Sequence, residues 1–70
     1  MRINLKIFRL KNHLTQAEMC ERLNCSRATY AAIENGGRSG RMKFWNELQQ
    51  AFELNDAEMW ELMKNEQTEH

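Results

Sequence analysis

The sequence predicts an all-α fold of five short helices, and three observations predict it. The 70-residue chain holds no proline, and its three glycines all lie between residues 36 and 40. Apolar residues recur at helical spacing through most of the remainder. Helix start signals stand at Thr15, Ser26 and Asn55, each just before an apolar period. A chain of this length makes one domain with a marginal core, because apolar burial and chain entropy nearly cancel.

In the first helix Ile3, Ile7 and Leu10 recur at helical spacing, flanked by Leu5 and Phe8, and the helix ends near Asn12 and His13. Thr15 starts the second, with Glu18 three residues on to complete a capping box. Its inward stripe is Met19, Cys20 and Leu23, and Asn24, a residue that tolerates the left-handed conformation, ends it. Ser26 caps the third helix, Tyr30 and Ile33 point inward, and Asn35-Gly36 closes it. Residues 36–40, Gly-Gly-Arg-Ser-Gly, form the one flexible stretch. The fourth helix runs from about Arg41 to Phe52 with Phe44, Leu48, Ala51 and Phe52 on one face. Asn55 and Glu58 make a second cap-like pair for the fifth helix, where Met59, Leu62 and Met63 share a side with Trp60 beside them. The domain covers residues 1–64, and the polar tail 65–70 frays.

Several function classes are disfavoured. No segment approaches the roughly 20 apolar residues of a membrane span. No signal-peptide core is present, so a cytoplasmic location is expected. Cys20 and Cys25 lack any metal-ligand spacing, as do His13 and His70, and no metal or cofactor is expected. No nucleophile pairs with a base, so no catalytic residue and no enzyme is expected.

Net charge is zero, but its distribution is uneven. Residues 1–41 carry eight basic against three acidic side chains, net +5, and residues 42–70 carry two against seven, net −5. That asymmetry suggests a basic working face and an acidic far side. Leu14–Gly36 reads as two short helices joined by a tight turn, a spacing that can place the second helix in a DNA major groove.

These residues resemble the helix-turn-helix of Cro/repressor-type (Xre-like) DNA-binding proteins of bacteria and phages. In that family a Gln opens the second helix, as Gln16 does, and a small residue sits where the two helices cross, as Cys20 does. Apolar Met19, Leu23, Cys25, Tyr30 and Ile33 flank the turn, and the third helix ends in the family's Ile-Glu-Asn-Gly, here residues 33–36. Arg9 and Glu34 match a recurrent pair tying the first helix to the end of the third. Asn24 replaces the usual turn glycine, and Tyr30 is bulkier than the usual Val or Ile. Its hydroxyl is expected to reach solvent or a phosphate.

The resemblance implies a lambda-repressor-like fold, with a motif at 15–35 and a recognition helix at about 27–34. It implies base contacts at Arg27, Ala28, Thr29, Ala31 and Ala32. Only Arg27 can make a bidentate contact, most naturally to guanine, while the alanines offer methyl contact to thymine or serve only as helix formers. Phosphate contacts are implied at Gln16, Ser26, Asn35, Arg38, Ser39, Arg41 and Lys43. The implied function is sequence-specific binding of double-stranded DNA by a transcriptional regulator, a repressor being the commonest role. The implied assembly is a homodimer through the fourth and fifth helices, using Trp45, Met59, Trp60 and Met63. A protein-interaction module with weak DNA binding (an antirepressor, accessory factor or antitoxin with a regulatory protein partner) is the alternative. The alanine-rich face favours it.

Overall fold

The start signals at Thr15, Ser26 and Asn55 open three of the five helices, and each is satisfied locally. The computed structural model describes residues 1–65 and gives α1 Ile3–Lys11, α2 Gln16–Leu23, α3 Arg27–Glu34, α4 Met42–Phe52 and α5 Asp56–Met63. The predicted tail lies outside the described residues except for Asn65, whose side chain accepts a hydrogen bond from the Met1 amine at 2.9 Å. Both capping boxes form, Thr15 with Glu18 and Asn55 with Glu58. Ser26 Oγ accepts from the Thr29 amide at 3.1 Å. Asn24 takes the left-handed conformation that ends α2, and the Cys25 amide donates back to Cys20 O, which closes the tight turn into α3.

One core joins all five helices. Leu5, Met19, Leu23, Tyr30, Ile33 and Leu48 are almost wholly buried at its centre, with Phe44, Trp45, Met59 and Leu62 around them. Phe8 meets Phe52 edge-on at 5.0 Å between ring centroids, and Phe44 meets Trp45 at 4.8 Å. Helix α3 packs against α2 and α1, while α5 packs on α1.

Three expectations are corrected. Helix α1 turns the other way: Leu5 and Arg9 are buried, and Ile3, Ile7 and Leu10 are exposed. Arg9 pairs with Glu34 and Leu5 enters the core on the same side, where Arg2 is held by carbonyls of its own. On α4, Trp45 is buried and Ala51 exposed. Tyr30 is fully buried and its hydroxyl donates to Glu34 Oε2 at 2.8 Å, so it reaches neither solvent nor a phosphate.

Candidate nucleic-acid interface

Glu34, the last residue of α3, is the anchor that aims the helix. Its carboxylate is buried and accepts from Arg9 Nε at 2.8 Å, Arg9 Nη2 at 3.3 Å, Tyr30 Oη at 2.8 Å and Gln16 Nε2 at 3.0 Å. One carboxylate thereby ties α1, α2 and α3 together. Burial by itself would raise the Glu34 carboxyl, but the hydrogen bonds from Arg9, Tyr30 and Gln16 outweigh it and hold the group below the usual carboxylate range. The hydrogen bond to Glu34 raises the Arg9 guanidinium, and burial followed by the Glu34 bond pushes the Tyr30 phenol up. All three keep their charge state at neutral pH.

With Tyr30 and Ile33 inward, α3 turns Arg27 and Ala28 fully outward and leaves Thr29, Ala31 and Ala32 half-buried. The Arg27 guanidinium has no hydrogen-bond or ion-pair partner among the described residues. Ser26 caps the helix by accepting the Thr29 amide, and its hydroxyl shares a hydrogen bond with Thr29 Oγ1 at 2.8 Å, so the pair retains one hydroxyl proton to offer outward. Gln16 gives one amide hydrogen to Glu34 and retains the second.

Beyond α3 the chain is held by a residue that sequence reasoning passed over. Arg2 is buried, and its backbone amide donates to Glu34 O at 2.9 Å. Its guanidinium donates to Ile33 O and Arg38 O at 2.7 Å each, Ser39 O at 3.2 Å and Met63 O at 3.1 Å, and lies 5.4 Å from the Trp45 ring. Trp45 Nε1 also donates to Ser39 O at 3.2 Å. Gly40, at φ +81°, lies so close to that ring that an added Cβ would stand 2.8 Å from Nε1. The loop read from sequence as flexible is thus pinned through its carbonyls. The side chains of Arg38 and Ser39 stay exposed.

Arg38, Ser39, Arg41 and Lys43 line a cleft of about 600 Å³ together with Asn24 and Thr29, so it opens between the α2–α3 turn and the start of α4. Helix α4 follows Arg41, an N-cap residue that makes no side-chain cap, and has no acidic residue in its first turn. Its free amides and three cations suit an anion. Asn35 accepts from the Gly37 amide through Oδ1, leaving its amide group to donate outward. The structure therefore groups Thr29 with Arg38, Ser39, Arg41 and Lys43, and sets Arg27 and Ala28 on the exposed face.

The four residues implied for a dimer surface divide into two buried and two exposed. Trp45 and Met59 complete the monomer core, whereas Trp60 and Met63 are exposed, 67% and 38% respectively. Among the described residues no helix is long and apolar enough to cross a membrane, and no cluster of three or more metal-ligating side chains occurs.

Comparison with known proteins adds one finding. The sequence matches the family described as helix-turn-helix domain over residues 1–62. No curated protein and no solved structure matches the chain.

Proposed function

Since the chain belongs to the helix-turn-helix domain family, whose members bind DNA, we propose that it is a sequence-specific regulator of transcription, a repressor of bacterial or phage type acting in the cytoplasm. Helix α3 enters the major groove. Arg27 reads a guanine, and Ala28, Ala31 and Ala32 allow close approach or touch a thymine methyl. Gln16, Asn35 and the cleft formed by Arg38, Arg41 and Lys43 hold the phosphates on either side.

The observation carrying this reading is the placement of uncommitted groups. Arg27 stands on the outer face of a helix whose inner face is locked by Glu34, beside a cationic cleft at an uncapped helix N-terminus. Phosphate contacts dominate the affinity. Gel shifts at about 50 and 200 mM salt test it, since neutralising several phosphates makes binding fall steeply across that range. Discrete, competitor-resistant complexes support a regulator. Smearing that vanishes equally with any competitor would reduce it to generic binding.

A second reading rests on the same helix. Ala28, Ala31 and Ala32 offer no polar readout, which suits a protein-interaction module such as an antirepressor or antitoxin. Failure to retard any duplex at low salt would favour it. In the DNA-binding form a homodimer presents two α3 helices to half-sites about one turn apart.

A further inference from the structure

The outer face of α1 is an apolar stripe that the monomer leaves uncovered. Ile3, Ile7 and Leu10 are 38%, 43% and 52% exposed. Their spacing puts them on one side of the helix. Ile7 continues into a shallow groove of about 320 Å³ between α1 and α5, whose charged lining residues are Lys11 and Glu61. Single exposed apolar residues are ordinary, but a helix stripe running into a groove is a surface that excludes water well once covered.

Charge identifies what covers it. Helix α1 carries Lys6 and Lys11 and no acidic residue, its Arg9 being neutralised by Glu34. Helix α5 carries Asp56, Glu58 and Glu61 and no basic residue, and Glu61 is paired with Lys64 just beyond it at 3.0 Å in an exposed contact that can be exchanged. A two-fold axis makes a patch meet itself, so a basic helix beside an acidic one complements its own copy. Crossing two α1 helices antiparallel at Ile7 sets Lys11 opposite positions 3 and 4 of the other copy. In each copy Asn4 donates to Glu61 O at 3.2 Å, so Glu61 is near that end. Lys11 then meets Glu61 of the second copy, and the reverse, at both ends of the apolar stripe.

We infer that the outer face of α1, with the α1–α5 groove, is a self-association surface whose occupant is α1 of a second copy. This rests on the dimeric form of the reading above and moves the interface from the fourth and fifth helices to the first and fifth. One helix face and one groove fall short of the about 800 Å² per partner of standard interfaces, so the association is weak and reversible.

Sedimentation equilibrium without DNA tests the surface separately from the function, at protein concentrations up to about 1 mM, where even millimolar association registers. The wild type is expected to show a monomer–dimer equilibrium, and Ile7→Glu, at an exposed site, to weaken it at least tenfold with an unchanged circular dichroism spectrum. Lys11→Glu and Glu61→Lys should each weaken it alone. Mixed in equal amounts they should recover it, because the heterodimer pairs opposite charges at both ends. The Lys64–Glu61 pair lost in the second variant is exposed and contributes little to the fold. A monomeric wild type, an Ile7→Glu protein that dimerises normally, or no recovery on mixing overturns the inference. Retardation of a single half-site by the Ile7→Glu protein would show DNA binding standing without it.

Discussion

Replacing Glu34 with Gln keeps the shape of the side chain and removes the charge that joins three helices. Glu34 accepts four hydrogen bonds, and its two oxygens each serve two donors. In the variant one oxygen becomes an amide that must face two of those donors. Gln16 can turn its own amide over to accommodate the change; Arg9 cannot. Arg9 is left as a buried cation whose remaining acceptors, the surviving side-chain oxygen at position 34 and Leu14 O at 2.8 Å, are both neutral. Breaking one side of a buried ion pair costs about 3–5 kcal/mol. Little screening reduces that figure, because the two side chains are only 10% and 3% exposed. A domain of this size has about 4–10 kcal/mol in total, so the variant should lose a large share of its stability. Urea titration followed by circular dichroism reads the loss directly, and the thermal midpoint should fall by more than about 12 °C. The double variant Arg9→Met/Glu34→Gln should be less destabilised than the Arg9 and Glu34 single changes summed, since no uncompensated cation remains. A Glu34→Gln protein within about 1 kcal/mol of wild type would refute the role given to this carboxylate.

Other outcomes follow from the same contacts. The depressed Glu34 carboxyl contributes stability that is fully present above its ordinary pKa of 4.5 and is lost as pH falls through its lowered value; an acid titration of folding should show this branch, flattened in Glu34→Gln. Arg2→Met removes the donors to Arg38 O and Ser39 O, and should cost about 3 kcal/mol and speed amide exchange at residues 36–40. Gly40→Ala forces a side chain into a left-handed site against Trp45 and should lower stability by more than about 1 kcal/mol in urea titration. Arg38→Ala should leave folding intact and reduce the slope of log K against log salt by about 0.9.

The helix boundaries were legible because they rest on neighbours in sequence. Thr15 with Glu18, Ser26, Asn24 and Asn55 with Glu58 do in the fold what their side chains do in any chain. The face of α1 was not legible from hydropathy, since one of its two buried residues and the residue just before the helix are arginines and its outward stripe is aliphatic. A signal was nevertheless present. If Arg9 reaches Glu34, positions 5 and 2 lie on the same side as Arg9, and Ile3, Ile7 and Leu10 must face away. Arg2 was missed because arginine near a chain end usually snorkels to water. Here the open carbonyls at the end of α3 and in the following loop give it more partners than solvent contact would. Trp45 and Met59 read as surplus because the size of the core depends on how α4 and α5 meet, which no local pattern records. The outward face of α3 was legible in part: with Tyr30 and Ile33 inward, Arg27 and Ala28 are exposed as read, whereas Ala31 and Ala32 are half-buried.

Selection of bound duplexes from a random DNA pool, run in parallel with wild type and Arg27→Ala, bears most directly on whether α3 reads DNA. The wild type should enrich a defined motif containing a guanine. The variant should recover the same motif with that one position relaxed and affinity lower by about 1–3 kcal/mol. No enrichment by the wild type, or identical motifs and affinities from both proteins, would contradict a recognition helix that reads through Arg27.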